Sequence, residues 1–288
     1  MKIAFLGPEG TFSEEALFTA IDRAEVEAAP LPTIYDCVIA VQDRQVERAF
    51  VPIENSLEGS VSATLDTLVF ETEQVEIVGE LIHPIRHSLI AREELTLEHI
   101  ERVVSHPQAN AQCARFLRER LGQAEVVAAP STADAVRIVA ESDRPWAALG
   151  TQLSAELNDC RVLLEGVEDH PENETRFIWL ANKSVATSAR SSLREPGDRP
   201  PFTTSVVFWG MPDAPGSLMH VLRAFAERDV NLSKIESRPL KQGLGRYMFF
   251  VDIEGSAQDP DVAAALETVG NQVDTVRVLG SYPAARTT

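Results

Sequence analysis

Asn173-Glu174-Thr175-Arg176-Phe177-Ile178-Trp179-Leu180 combines two patterns in eight residues. Ile178-Trp179-Leu180 is an uninterrupted apolar run of the kind found in a strand covered on both faces. Immediately before it stand a hydroxyl, a guanidinium and an aromatic ring. That set, held at the mouth of a buried strand, suits a small, anionic, ring-bearing ligand.

The same arrangement recurs upstream. Lys2-Ile3-Ala4-Phe5-Leu6 runs into Gly7-Pro8-Glu9-Gly10-Thr11-Phe12-Ser13, where backbone amides and the Thr11 hydroxyl can face an anion at the start of a helix. Gly-x-x-Gly there lacks the third glycine of a dinucleotide fingerprint, and no acidic strand end follows at the usual spacing. An apolar run at 49–53 leads into Glu54-Asn55-Ser56-Leu57-Glu58-Gly59-Ser60. A third run, 103–105, leads into Ser105-His106-Pro107-Gln108, with the proline suited to a first helical turn. Further strands are expected at 75–82, 87–91, 125–128, 146–149 and 176–180. Helical periodicity lies between them, over 107–121 and over 131–141, where Ser131 or Thr132 offers an N-cap. Short strands alternating with helices predict an α/β layered domain, with polar loops converging where open sheets bind ligands.

Residues 183–201 replace apolar runs with Ser, Arg, Pro and Gly, the composition of a linker. Strands then return at 203–209, 231–238, 247–253 and 275–280, with helices after Pro215 and over 262–269. The order βαββαβ is that of a ferredoxin-like unit.

Length and composition bound the function. The chain has 288 residues, enough for two cores, and 44% are hydrophobic. Its formal charge is −18, which disfavours nucleic-acid and membrane partners while leaving room for a locally positive anion site. Cys37, Cys113 and Cys160 show no disulfide or metal spacing and read as reduced thiols. The opening apolar run reads as a first strand, too short for a signal peptide, and no run approaches the length of a membrane span. A cytoplasmic protein is therefore expected. The candidate loops offer hydroxyls, amides and a few charges. Neither a metal cluster nor a Gly-x-Ser-x-Gly elbow nor a P-loop occurs among the motifs. Such a site orients a substrate and stabilises charge.

Taken together, Gly7-Pro8-x-Gly10-Thr11-Phe12-Ser13, Pro52-Ile53-Glu54-Asn55-Ser56-x-x-Gly59, Ser105-His106-Pro107-Gln108 and Thr175-Arg176-Phe177 resemble the motifs of prephenate dehydratases, in the family's order. Pro215-Gly216-Ser217-Leu218 and Glu236-Ser237-Arg238-Pro239 resemble those of an ACT regulatory domain. The resemblance spans residues 1–283. It implies a two-lobed, periplasmic-binding-protein-like catalytic domain over 1–182. Its lobes are expected at about 1–78 plus 175–182 and at about 79–174, followed by the 183–201 linker and an ACT domain over 202–283. The implied reaction is the decarboxylating dehydration of prephenate to phenylpyruvate without metal or cofactor. The implied effector is L-phenylalanine, in a homodimer or homotetramer. The absence of an N-terminal chorismate mutase bundle reads as a monofunctional enzyme.

The same resemblance implies the site. Thr175 is the catalytic residue, a hydroxyl that polarises the departing C4 hydroxyl of the substrate. Thr11, Asn55, Ser56 and Gln108 line the substrate. Arg176 either holds a carboxylate bidentately or pairs with a local acid, and Phe177 either walls the ring or fills the core. Glu54 and Glu58 are each an acid with a raised pKa or a structural carboxylate, and His106 is a further donor. Effector binding falls to Gly216, Ser217, Leu218, Asn231, Glu236, Ser237, Arg238 and Pro239. Ser217 stands where the family's motif has alanine, which puts a hydroxyl beside the effector. Arogenate dehydration is the alternative reaction, and a non-catalytic two-lobed sensor the alternative class.

Overall fold

The computed structural model describes residues 1–193 and 201–285. In chain order it begins with β1 (Lys2–Leu6), α1 (Phe12–Ala20), β2 (Glu27–Leu31), α2 (Ile34–Gln42), β3 (Arg48–Asn55), β4 (Gly59–Ser60), α3 (Ser62–Phe70) and β5 (Val75–Pro84). It continues with β6 (Ser88–Ala91), β7 (Arg102–Ser105), α4 (Pro107–Gln112), α5 (Ala114–Arg120), β8 (Glu125–Ala128), α6 (Thr132–Ala140), β9 (Trp146–Gly150), α7 (Gln152–Leu157) and β10 (Arg161–Leu164). After these come β11 (Glu174–Asn182), α8 (Ala186–Ser192), β12 (Phe202–Trp209), α9 (Ser217–Ala226), β13 (Leu232–Pro239), β14 (Tyr247–Glu254), α10 (Pro260–Gly270) and β15 (Thr275–Pro283).

Three sheets result. The first runs β2-β1-β3-β11-β5, with β4 hairpinned onto β3. The second runs β10-β6-β9-β7-β8, and the third β13-β14-β12-β15. Strands β1, β2 and β3 pair in parallel, as do β7, β8 and β9. Both groups use helices as crossovers, so the α/β expectation holds. The third sheet is antiparallel throughout, and with α9 and α10 it forms the βαββαβ unit.

The chain divides into two compact units, residues 1–65 with 81–177, and residues 66–80 with 178–288. The first contains the site loops. Its second-sheet cores lie on either side of the strands, with Leu89, Val103, Cys113 and Leu149 on one face and Ile90, Val104, Val136 and Ala148 on the other. In the second unit, Val206, Phe208, Val221, Phe225, Val251 and Val262 form the core under the sheet. Residues 66–80 belong to this unit: a Cβ on Gly280 would meet Ile77, one on Gly79 would meet Leu193, and Arg277 donates to the Val69 carbonyl at 3.2 Å. The domain limit expected at residue 182 leaves this segment on the other side.

Several elements differ from the sequence expectation. The single helix expected over 107–121 is broken at Cys113, whose φ/ψ of −114°/18° ends α4 and opens α5. Strand β2 contains Pro30 and two alanines, weak strand formers, and survives because it is an edge, where a missing N–H costs little. Strand β10 is also an edge. The linker expected over 183–201 begins instead with a 3-10 turn and α8, which buries Ala186 and Ala189. Its remainder, 194–200, lies outside the described residues.

Candidate active site

A cleft of about 460 Å3 opens in the first unit. Its walls come from the loops the sequence singles out, and three helices begin at it. Thr11, Phe12 and Ser13 start α1, His106, Gln108 and Ala109 start α4, and Ser131 and Thr132 start α6. Gly10 makes the first of these approaches possible. It has φ of +82°, and a Cβ there would meet Ser154 at 3.0–3.3 Å, while its carbonyl accepts from the Thr151 hydroxyl at 2.8 Å. Thr11 makes no cap with its side chain, because its hydroxyl donates to the Leu6 carbonyl at 3.2 Å. In α4, His106 Nδ1 accepts from the Gln108 amide at 3.3 Å. In α6, Ser131 Oγ accepts from the Asp134 amide at 2.9 Å.

No lysine or arginine lines this cleft among the described residues. Three helix N-termini supply its positive potential instead, through partial charges that favour bound anions. Of the two roles open to Arg176, pairing with a local acid is the one its surroundings display. Its guanidinium lies 3.6 Å from Glu54, and neither residue is among those lining the cleft. This ion pair is a structural contact of both side chains. Glu58 is exposed and contributes its backbone amide.

Thr175 lies at the start of β11, 8% exposed, and lines the cleft. Asn55 Nδ2 donates to Thr175 Oγ1 at 2.9 Å. The orientation of Asn55 is fixed, because its Oδ1 accepts from the backbone amides of Leu57 and Glu58, each at 3.0 Å. With an acceptor position of Thr175 filled, its O–H remains available as a donor. An amide bonded to the oxygen also strengthens that hydroxyl as a donor. Phe177 is buried, stacks on Phe50 at 4.9 Å between centroids, and still contributes to the cleft wall.

Ser56 does not line the cleft. Its hydroxyl accepts from the Glu174 amide at 3.0 Å and donates to Asn173 Oδ1 at 3.4 Å, tying the loop to the mouth of β11. Ser105 is buried and donates to the Leu149 carbonyl at 2.8 Å, a structural role. Three residues to which the sequence assigned no site role also stand at the cleft or bond to its wall: His87, Gln112 and Asn173. His87 and Gln112 line the cleft, and Asn173 bonds to both Asn55 and Gln112. Gln112 falls one helical turn after Gln108, a spacing that could have found it. Burial pushes the imidazolium of His87 down from its ordinary pKa, against the opposing influence of Gln112, Glu168 and Glu15. Burial also pushes the Cys37 thiol up to about 12 and the Cys113 thiol higher, so neither is a nucleophile at neutral pH.

The effector candidates lie in the second unit. Gly216 has φ of +88° with open space around it, and it caps α9. Ser217 borders a groove between α9 and α10, and Leu218 packs on the core. Asn231 donates to Glu254 at 2.8 Å at one end of β13. Arg238 stands abreast of Met248 and Trp209 at the other end, from which the segment leading to Gly216 departs. Asn231 and Pro239 are eight steps apart along the strand, roughly 25 Å. Ser237 is exposed on this edge strand, and Glu236 lies 3.7 Å from Lys234. Arg238 donates to both carboxylate oxygens of Asp66, at 2.8 and 3.1 Å, and Lys241 lies 2.9 Å from the same group.

Comparison with known proteins bears on both units. Residues 3–185 match the family model of prephenate dehydratase, and residues 204–271 match that of the ACT domain. A prephenate dehydratase of Methanocaldococcus jannaschii is 37% identical over 279 residues, covering 96% of each chain. The crystal structure of an Arthrobacter aurescens prephenate dehydratase in complex with L-Phe superposes with a TM-score of 0.86 at 37% identity, covering 99% of this chain and 90% of that one. A structure described as GqqA, a quorum quenching acylase, has a TM-score of 0.82 at 31% identity, covering 99% and 98%.

Proposed function

Since the chain belongs to the prephenate dehydratase family and carries an ACT domain behind the catalytic one, we propose that it converts prephenate to phenylpyruvate, carbon dioxide and water under feedback control by L-phenylalanine. The observation that carries this reading is the Asn55–Thr175 bond at the cleft, 2.9 Å long. Prephenate presents two carboxylates, a cyclohexadiene ring and a C4 hydroxyl. The ring carbon para to that hydroxyl loses carbon dioxide, and the electron pair of the broken bond completes the aromatic ring. The C4–O bond breaks, and the oxygen leaves as water after taking one proton. Aromatisation drives the reaction, so the site must mainly align the two leaving groups and assist the hydroxyl.

Thr175 fits that assistance. Its hydroxyl is too weak an acid to be a free proton source at pH 7, and it acts as an oriented donor and relay. The helix N-termini at Thr11, His106 and Ser131 suit the two carboxylates. Phe177 and Phe12 offer apolar wall to the ring. The cleft hydroxyls of Thr11 and Thr175 bond to a carbonyl and an amide rather than to an imidazole. That arrangement favours elimination over the activated nucleophile of an acylase.

For the effector, a symmetric pair of chains suits the separation of its candidate residues. Antiparallel pairing of the edge strand β13 with its copy across a two-fold axis would set Asn231 of one chain beside the Pro239 end of the other. L-phenylalanine would then bind at an interface between chains. The test of the activity is incubation of the purified protein with prephenate and with arogenate, following phenylpyruvate and phenylalanine. Turnover of prephenate is expected to dominate. Turnover of neither overturns the proposal, and preference for arogenate replaces it with the aminated substrate.

A further inference from the structure

Hydrogen-bond direction can be followed through the cleft wall from two backbone amides. Leu57 and Glu58 donate to Asn55 Oδ1, so the Asn55 amino group faces the other way, toward Asn173 Oδ1 at 2.8 Å, Thr175 Oγ1 at 2.9 Å and the Glu174 carbonyl at 3.1 Å. Asn173 is fully buried, and its oxygen is now an acceptor, so its amino group is the one facing Gln112 Oε1 at 3.2 Å. Gln112 Oε1 is therefore also an acceptor. The ring nitrogen His87 Nε2 lies 3.0 Å from that same oxygen. It must carry a hydrogen.

The tautomer of His87 is thus set by amides four links away. The remaining ring nitrogen, Nδ1, is buried without a partner. His87 itself is 2% exposed, lines the cleft, and meets Phe12 edge-on at 5.0 Å between centroids. Its backbone is clamped on both sides. The His87 amide donates to Glu168 Oε2 at 2.8 Å, and its carbonyl accepts from the Val167 amide at 3.0 Å. A protonated ring here would add a buried N–H with no acceptor, so the neutral ring is the stable one. Glu168, which pairs with Arg86 at 3.1 Å, is the nearby carboxylate, and Glu15 faces His83 at 3.3 Å.

We infer that His87 is a positioning residue of the reaction: its Nε2–H, with Asn173, holds Gln112 Oε1 in place, so that the Gln112 amino group is presented to the substrate. The inference rests on the proposed function for the identity of the reaction, and on the network alone for the geometry. A neutral His87 gives Gln112 Oε1 two donors, and this is what makes the opposite amide orientation unfavourable. In that flipped orientation the Gln112 amino group would face the Nε2–H and the Asn173 amino group, leaving hydrogens without acceptors. The amide would then offer the ligand an oxygen where an anionic substrate needs donors.

The test uses the full chain and two variants. His87→Gln can still offer an N–H near the Nε2 position, whereas His87→Leu cannot. The expectation is that His87→Leu lowers kcat about tenfold or more, with Gln112 free to turn, and that His87→Gln restores it to within about threefold of wild type. In parallel, nitrogen spectra of 15N-histidine-labelled wild type, with the signal assigned by its absence in His87→Gln, are expected to show His87 as a neutral ring protonated at Nε2 between pH 6 and 8. A ring protonated at Nδ1, wild-type kcat in a folded His87→Leu, or a His87→Gln variant as impaired as His87→Leu overturns the inference. If His87→Leu does not fold, the tautomer and the His87→Gln rates decide it. If the wild type does not turn over prephenate, the proposed function fails, while the nitrogen spectra still judge the hydrogen-bond network.

Discussion

Arg176 and Glu54 face each other across 3.6 Å at the paired ends of β11 and β3, so the cation that the Thr-Arg-Phe motif displays is neutralised beside the cleft rather than inside it. Positive potential for an anionic ligand comes from helix ends. This changes what the arginine is expected to do. Arg176→Lys keeps a charge near Glu54 and is expected to leave KM and kcat within about threefold of wild type. Arg176→Ala leaves Glu54 without this cation and is expected to lower Tm by about 2–5 °C. Steady-state kinetics and thermal melts check both, and a tenfold rise in KM for Arg176→Lys would return the arginine to the substrate.

Asp66 offers a pH-dependent test in the second unit. Burial alone would raise its pKa, but the bonds from Arg238 and Lys241 outweigh that and hold the carboxyl below its usual range. A depressed folded pKa means that the unfolded chain binds the proton more readily. The pair therefore adds stability above the ordinary carboxylate pKa of about 4, and this is lost as pH falls through the folded value. Comparing melts of wild type and Asp66→Asn, the gap is expected to be constant from pH 8 to about 5 and to shrink below about 4. A gap that persists undiminished at pH 3 would assign the stabilisation to packing.

Truncation after residue 182 is expected to destabilise what remains. Residues 66–80 share their compact unit with residues 178–288, and Ile77, Gly79 and Asp66 find partners there. The fragment is expected to lose Tm by more than about 5 °C and to expose apolar surface readable by dye binding. A fragment with the full chain's Tm would show that the catalytic domain closes on its own.

Gly216 caps α9 at φ of +88° with open space around its Cα. Gly216→Val meets no neighbour but forces a β-branched residue into the left-handed region, so local backbone shift rather than a clash is expected. Calorimetry is expected to show L-phenylalanine affinity reduced about tenfold or more, with turnover in the absence of effector unchanged. Unchanged affinity would locate the effector elsewhere.

The legibility of this chain follows from which forces act locally. Continuous apolar runs made β1, β3 and β7 plain, and the α9 face with Val221 and Phe225 marked its helix. β2 escaped because Pro30 and its alanines carry little strand preference, and only pairing with β1 makes them a strand. α8 escaped because serines and arginines dominate it, although Ala186 and Ala189 are buried. Within the site, Thr175 and Asn55 stood in recognisable motifs. His87 looked like the opening residue of a strand, and Asn173 like the residue leading into one. Their role is a matter of hydrogen-bond direction between residues as far apart as Asn55 and Asn173, which no local pattern encodes. Arg176 left two readings open for the converse reason: its charge was visible, and which acid it faces was not.

In the proposed reaction Asn55 orients the Thr175 hydroxyl to assist departure of the substrate's hydroxyl. A double-mutant cycle in kcat tests it most directly. Thr175→Ala removes the hydroxyl, and Asn55→Asp keeps the acceptor for the Leu57 and Glu58 amides while removing the amino group that donates to Thr175 Oγ1, Asn173 Oδ1 and the Glu174 carbonyl. Thr175→Ala is expected to cost on the order of 100-fold in kcat with an unchanged fold, and Asn55→Asp at least tenfold. The double variant is expected to lose clearly less than the product of the two single losses, because the Asn55–Thr175 bond couples them. Retention of more than about half of wild-type kcat by Thr175→Ala, or losses that multiply in the double variant, would contradict the account.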